Sequence, residues 1–165
     1  MALAPAITDL EKLKDKPEIA ALLEWNAAAV TGAKLDRDEL TVWIERNSIV
    51  AACTFLRDHS QLRFNMLTDV TAVDWYPSEP RFEVVYQLLS IPRKSRLRVK
   101  VRLNGDDARL GSVISVWSSC NFFEREVFDL FGIHFEGHPF LKRIMLPEDW
   151  KGHPLRKDYP VEGYR

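Results

Sequence analysis

The segment 95–103 alternates strictly between aliphatic and basic side chains. Successive side chains on a β-strand point to opposite faces, so this segment predicts a strand with one face in a hydrophobic core and the other toward water. Such a strand requires neighbouring strands and a second layer that covers its aliphatic face. The aliphatic row consists of Leu97, Val99, Val101 and Leu103, and the basic row consists of Arg96, Arg98, Lys100 and Arg102.

The basic row has two interpretations. Like charges about 7 Å apart on one strand face repel each other by roughly 0.6 kcal/mol per adjacent pair in water, so acidic side chains are expected beside them. A nucleic-acid groove would place aromatic rings among the cations for base stacking, and here the interleaved residues are aliphatic. The chain has 23 lysines and arginines against 24 aspartates and glutamates, so its net charge gives no general attraction for polyanions. We expect an acid-paired or solvated face and keep a nucleic-acid-binding module as the distant alternative.

Three other segments have the composition or the alternation of β-strands, at 40–45, 64–75 and 81–90. Only short, proline-containing stretches separate the last two from each other and from the 95–103 strand. Connections of this length favour antiparallel neighbours. The sequence therefore predicts a mostly antiparallel sheet.

Apolar residues at helical spacing predict helices that flank this sheet. Asp15 is the expected N-cap of the first helix and Asn47 that of the second, and Gly132 is well placed to end the third in a left-handed turn. A chain of 165 residues with this mixture of elements predicts a single domain of the α+β class. The predicted helices are 16–25, 47–57 and 119–131.

The composition changes after residue 136. Prolines and glycines interrupt residues 137–165 so often that no long helix or interior strand fits, which predicts an extended docking segment beyond a domain of residues 1–136. Its order must come from the body of the domain or from a partner. We expect truncation after Leu146 to leave thermal unfolding nearly unchanged while preventing assembly into a complex. The charges expected to pair with a neighbouring subunit are Arg143, Arg156, Lys157 and Asp158.

Motifs of the common catalytic and cofactor chemistries are absent from the sequence, among them glycine-rich nucleotide loops, nucleophile elbows and zinc-protease helices. Cys53 and Cys120 belong to no ligand pair and are predicted to be buried thiols in a reducing compartment. His134 and His138 straddle a glycine and precede a proline, which disfavours a shared metal ion. The apolar segments are too short to span a bilayer, so membrane association is expected only through a partner.

The helix predicted at 119–131 carries a dense group of charges. Glu124 and Glu126 are two residues apart and point in different directions, which argues against a catalytic acid and base pair. Arg125 between them is expected to form ion pairs. From these residues alone, a solvated helix face is the favoured interpretation.

The same charges begin a stretch that resembles the signature of one family, the C subunit of bacterial NADH:quinone oxidoreductase, which is the 30 kDa-type subunit of respiratory complex I. The resemblance covers about residues 38 to 160, and it is weaker before residue 124. Residues 116–123 depart from the commonest pattern, in which many members carry proline and alanine before asparagine and tryptophan, and they are also similar to the J subunit of the photosynthetic complex. The residues that carry the signature are Glu124, Arg125, Glu126, Asp129, Leu130, Phe131, Gly132, Ile133, Gly137, His138, Pro139, Leu141, Lys142, Arg143, Ile144 and the run 152–160.

The resemblance implies a non-catalytic subunit of the peripheral arm, at the cytoplasmic face of the bacterial plasma membrane. It implies no cofactor in this chain, whereas the parent complex is expected to carry FMN, iron–sulfur clusters and quinone. The implied partners are chiefly the D subunit, which resembles the hydrogenase large subunit, and the neighbouring B and I subunits. Because the resemblance singles out charged positions, contact with a partner now outranks the solvated face. The predicted interface residues are Glu124, Arg125, Glu126, Asp129, His138, Arg143, His153, Arg156, Lys157 and Asp158.

A second hypothesis shares most of this signature. The chain would then be the equivalent subunit of a membrane-bound hydrogenase, a formate-oxidising complex or the ferredoxin-dependent photosynthetic complex. The electron donor of the parent complex distinguishes these possibilities.

Overall fold

A mixed five-stranded β-sheet forms the centre of the fold in the computed structural model, which describes residues 5–164. With its flanking helices the sheet makes a single α+β domain, as predicted. The helices are α1 (Pro17–Asn26), α2 (Ile49–Asp58) and α3 (Cys120–Phe131). The strands are β1 (Val30–Asp36), β2 (Glu39–Ile44), β3 (Met66–Asp74), β4 (Phe82–Ser90), β5 (Ser95–Leu103), β6 (Arg109–Gly111) and β7 (His134–Glu136).

The strand order in the large sheet is β1-β2-β5-β4-β3. The predicted meander is confirmed, because β3, β4 and β5 are consecutive antiparallel neighbours. β1 and β2 form a second antiparallel hairpin. The central pairing of β2 with β5 is parallel, and α2 lies on the long connection between the two strands. The short helix-free connections predicted the antiparallel pairs, whereas nothing local to β2 specified its parallel partner.

One face of the sheet lies in the hydrophobic core. The aliphatic row of β5 is at most 1% exposed, and Val99 lies between Val42 of β2 and Tyr86 of β4 in the register. The buried stripe of α2 contributes Ile49, Cys53 and Leu56 to the same core. Cys53 and Cys120 are both buried free thiols, and burial raises the pKa of each.

The other face of the sheet carries the basic row, and three of its four members, Arg98, Lys100 and Arg102, pair with acids as expected. Glu83 on β4 is buried and accepts from Lys100 Nζ at 2.5 Å and from Trp43 Nε1 at 2.8 Å. Arg98 Nη2 lies 2.7 Å from Glu39 Oε2. These pairs relieve the repulsion along the row and occupy cations that a phosphate backbone would otherwise contact.

The two predicted N-caps are wrong, although the helices they were assigned to are present. α1 begins with Pro17 at its first turn, and Lys16 before it makes no side-chain capping bond. α2 begins after Ser48, because Asn47 belongs to a preceding 3-10 turn. The backbone N–H of Asn47 donates to Glu45 Oε2 at the start of that turn. The predicted end of α3 is confirmed, since Gly132 adopts a left-handed conformation with φ 73°.

The last segment, residues 137–164, is here called the strap. It begins after β7, which pairs with β6 in a small parallel sheet, and it runs as turns and irregular backbone along the domain. No helix in the part of the chain that the structure describes is long and apolar enough to cross a lipid bilayer.

Candidate functional site: a C-terminal strap held by buried carboxylates

Three buried carboxylates attach irregular segments to the body of the domain. Each lies on or at the end of a regular element and accepts hydrogen bonds from backbone that has no regular partner. A buried charge is stable only when it is hydrogen-bonded or paired, so these contacts fix where each segment lies. The carboxylates are Asp74 at the end of β3, and Glu124 and Asp129 on α3.

Asp129 holds the first part of the strap. Its Oδ2 accepts from three consecutive backbone N–H groups, those of residues 144–146, at 2.8 to 3.0 Å. Its Oδ1 lies 2.7 Å from Nη1 of Arg143. Burial raises the pKa of Asp129, but the three N–H donors and Arg143 outweigh burial, so the pKa lies below its ordinary value. The carboxylate is therefore ionised and acts as a fixed anion beneath the strap.

Asp74 holds the second part. Both of its oxygens bind the Arg81 guanidinium, at 2.8 and 2.9 Å, and Oδ2 also accepts from the backbone N–H of Lys157 at 2.8 Å. Arg81 in turn binds Asp158 through Nη1 and Nη2 at 3.0 and 2.6 Å. Burial raises the pKa of Asp74, but the bonds from Arg81 and two backbone N–H groups lower it by more, so the net shift is downward. The strap is thereby joined to both sides of the turn that connects β3 to β4.

Contacts with the end of α3 hold the strap between these two points. His153 Nδ1 donates to the carbonyl of Asp129 at 2.8 Å, and the Leu155 N–H donates to the carbonyl of Leu130 at 3.0 Å. Arg156 Nε donates to the carbonyl of Phe131 at 2.6 Å, which satisfies a carbonyl that the helix leaves unbonded. Burial lowers the pKa of both His153 and Arg156.

Gly132 makes this close approach possible. A Cβ atom at this position would lie 2.6 Å from the side chains of both His153 and Arg156. The positive φ of the residue also disfavours any side chain. Gly132 therefore ends α3 and leaves the space in which the strap packs.

Glu124 has a different environment, because its hydrogen bonds go to Ser112 and Val113 and not to the strap. Its Oε1 accepts from the Val113 N–H at 2.9 Å, and its Oε2 lies 2.5 Å from Ser112 Oγ. Burial raises the pKa of Glu124 by more than the bonds from Cys120, Ser112 and Val113 lower it. The residue joins α3 to the loop that follows β6.

Arg125 binds the strap and makes no ion pair with the glutamates beside it. Its Nε donates to the carbonyl of Lys142 at 3.0 Å and its Nη2 to the carbonyl of Arg143 at 3.2 Å. The expected pairing with Glu124 and Glu126 is therefore wrong, because Glu124 points into the core and Glu126 into solvent.

The ten predicted interface residues have three different surroundings. Two of them, Glu124 and Asp129, are 0% exposed and contact only this chain, so their side chains offer no surface to another subunit. Arg143 and Asp158 form ion pairs within this chain, with Asp129 and Arg81. The remaining six are half-buried or exposed on α3 or the strap: Arg125, Glu126, His138, His153, Arg156 and Lys157.

The residues that sequence reasoning missed are the buried anchors. Glu124 could have been found, because Cys120, Glu124, Val127 and Phe131 share one helix face and the other three are hydrophobic. The strap covers Asp129, which binds the backbone N–H of Leu146. Asp74 binds the backbone N–H of Lys157, which is more than eighty positions later in the chain. No local sequence pattern therefore indicates that these two carboxylates are buried.

Hydrophobic side chains are exposed around this site. Most of the large hydrophobic residues that the described chain exposes lie on α3 or the strap, whereas few lie on the large sheet and its hairpins. Arg125 lies over the rings of Phe122 and Phe140, with its guanidinium carbon 6.0 and 5.2 Å from their centroids. The exposed residues of this group are Phe122, Phe140, Ile144, Met145, Trp150, Leu155, Val161 and Tyr164.

Comparison with known proteins identifies the family. The model of the family described as respiratory-chain NADH dehydrogenase, 30 Kd subunit, matches residues 42–165. The chain belongs to this family. A relative from Geotalea uraniireducens (strain Rf4), named as the C subunit of NADH-quinone oxidoreductase, is 48% identical over 145 residues, which are 88% of this chain and 87% of the relative.

The fold of the chain is also similar to two solved structures. One is described as Nqo5 of the trypsin-resistant fragment (1-134); it has a TM-score of 0.63 and 35% identity, and the match covers 75% of this chain and 99% of that one. The other is a chain of the membrane-bound sulfane sulfur reductase, an archaeal respiratory membrane complex, with a TM-score of 0.72 and 29% identity over 90% of this chain and 86% of that one. Within residues 5–164 of this 30 kDa-type subunit, no group of three or more His, Cys, Asp or Glu side chains is arranged to hold a metal ion.

Proposed function

We propose that this 30 kDa-type subunit is a structural and assembly component of the peripheral arm of a proton-translocating NADH:quinone oxidoreductase. It supports electron transfer from NADH to quinone without catalysing a step and without holding a redox cofactor. The observation that carries this proposal is the strap, which the buried carboxylates hold on the domain while its hydrophobic side chains stay exposed.

An exposed hydrophobic group of this kind is typical of a protein contact surface. The strap is already ordered by Asp129, Asp74 and the end of α3, so docking requires little further loss of conformational entropy. Half-buried and exposed charges surround the hydrophobic residues, as the rim of an interface does. Arg125, Glu126, His138 and Lys157 are the proposed polar contacts.

The proposed partners are other subunits of the peripheral arm, chiefly the D subunit, which is similar to the hydrogenase large subunit, and the neighbouring B and I subunits. FMN, the iron–sulfur clusters and quinone would be held by these and other subunits. The complex would keep this chain at the cytoplasmic face of the plasma membrane as a peripheral protein.

A second candidate is the equivalent subunit of a different respiratory membrane complex. The likeness to the sulfane sulfur reductase chain favours it, because that match covers more of this chain and has the higher TM-score of the two. The two candidates share the docking role and differ in the electron donor.

Affinity purification of the tagged chain from solubilised membranes tests the proposal. The expected result is co-purification with flavin-containing and cluster-containing subunits, and NADH-dependent quinone reduction by the purified assembly. The isolated chain is expected to be colourless and to oxidise no NADH. Recovery of the chain alone, or with visible absorbance and stoichiometric iron of its own, would contradict the proposal.

A further inference from the structure

A short loop in the strap is held at both ends and exposed throughout. Residues 147–151 are all exposed. At the base of the loop the Leu146 N–H donates to Asp129 Oδ2 at 3.0 Å, and Arg143 Nη2 donates to the carbonyl of Gly152 at 3.1 Å. A turn closed by the Trp150 N–H and the carbonyl of Pro147, 3.1 Å apart, shapes its tip.

The loop presents one large hydrophobic side chain next to unpaired charges. Trp150 is 41% exposed, and within residues 5–164 its ring has no aromatic or cation–π partner. Glu148 and Asp149 form no ion pair in the same range. Phe140 differs, because Arg125 and Lys142 both lie against its ring. Unlike the ring of Phe140, the ring of Trp150 therefore has no aromatic or cationic partner among the described residues.

The bland interpretation is a solvated loop that happens to contain tryptophan. The bonds of Asp129 and Arg143 stabilise the fold whether or not the loop binds a partner. They do not account for the tryptophan, which is a costly residue to leave in water. A fixed loop with a tryptophan at its tip is instead well suited to binding, because little rotational freedom is lost on contact. Tryptophan is also among the residues that contribute most to the binding energy at protein interfaces.

We infer that Trp150 is a central anchor of the contact with the neighbouring subunit and enters a hydrophobic pocket on that subunit. Glu148 and Asp149 precede the tryptophan and Lys151 follows it, and none of the three forms an ion pair within the described part of this chain. The side of the pocket rim that meets residues 148–149 is therefore basic. This inference rests on the proposed function and names the chemistry of the partner surface.

Competition between two tagged copies of the chain in the same cells tests the anchor. One copy is wild type and the other carries Trp150→Ala, and the ratio of the two tags is measured in the purified membrane complex. Loss of an interface anchor predicts roughly tenfold or greater under-representation of the variant. The matched control is Ile91→Ala, which removes a 57% exposed side chain from the β4–β5 hairpin and is expected to assemble equally. If Trp150→Ala enters the complex as often as the wild-type copy, or is depleted no more than Ile91→Ala, the inference is overturned.

The basic rim is tested in the same assay with Glu148→Lys combined with Asp149→Lys. We expect this double variant to be under-represented in the complex, because lysines at these positions repel a basic rim. Normal incorporation of the double variant would overturn the charge assignment.

Oxidative footprinting of the wild-type chain requires no variant and covers the case in which Trp150→Ala unfolds. Trp150 is expected to be oxidised in the isolated chain and protected in the complex. If the wild-type chain assembles and Trp150 is oxidised equally in both states, the inference fails and the proposed function stands. If the wild-type chain enters no membrane oxidoreductase, the proposed function fails and the inference with it.

Discussion

At the scale of single residues, the buried carboxylates differ in the sign of their pKa shifts. Asp74 and Asp129 have lowered pKa values because backbone N–H groups and arginines outweigh burial. Glu124 has a raised pKa because burial outweighs its neutral hydrogen-bond donors. The first two therefore stabilise the fold as anions, and the third does so when protonated.

Asp129→Asn is expected to lower the free energy of unfolding at neutral pH by about 3 kcal/mol, because it leaves Arg143 and three backbone N–H groups without their anion. A lowered pKa gives stability that is present above the ordinary value of 3.8 and lost as the pH falls below it. The difference between wild type and variant should therefore shrink below that pH. Urea unfolding across pH measures both effects. Glu126→Gln is the control, since that carboxylate is exposed on the same helix, and an equal loss there would contradict the account.

Glu124→Gln is expected to show the opposite pH dependence. A raised pKa gives stability that is present below the ordinary value of 4.5 and lost as the pH rises through the higher folded-state pKa. Glutamine keeps an acceptor for the Val113 N–H and does not titrate, so the variant should gain stability relative to wild type as the pH rises above 4.5. Chemical unfolding from mildly acidic to neutral pH measures the difference. A difference that does not vary with pH would show that Glu124 stays in one protonation state.

At the scale of elements, the sequence predicted what local periodicity encodes. The 95–103 strand has the predicted bounds, and the three helices lie within a few residues of theirs. β1 was missed because its sequence contains a glycine and does not alternate between buried and exposed positions. The parallel pairing of β2 with β5 was missed because it depends on contacts between residues more than fifty positions apart. At the site, the helix and its glycine end were predictable, whereas the anchoring of the strap was not.

The β4–β5 connection contains a strained residue, because Lys94 has a φ of 51°. A non-glycine residue in this left-handed region costs about 1 kcal/mol, so Lys94→Gly is expected to stabilise the fold by roughly 0.5 to 1 kcal/mol. The midpoint of thermal unfolding measures this gain. Lys94→Ala removes the same charged side chain and keeps the Cβ atom, so it should give no gain. Equal stabilisation by both variants would mean that the charge, and not the backbone, is responsible.

At the scale of the whole molecule, the strap belongs to the fold as well as to the proposed interface. Truncation after Leu146 removes the bonds that join the last part of the strap to the body of the domain, which are made by His153, Leu155, Arg156, Lys157 and Asp158. We therefore expect the truncated chain to lose on the order of 5 kcal/mol of stability, at about 1 kcal/mol for each of these five residues, which reverses the expectation drawn from sequence. Thermal unfolding of the isolated chains is the measurement. An unchanged midpoint would mean that the strap detaches from the domain in solution.

We propose that the strap and the exposed face of α3 form the contact with the parent complex. Amide hydrogen exchange, compared between the isolated chain and the purified membrane complex, locates this contact. We expect added protection in residues 137–164 and around Phe122, with little change along the basic row of β5. Unchanged exchange in the strap, together with new protection on the β1–β2–β5 face, would contradict it.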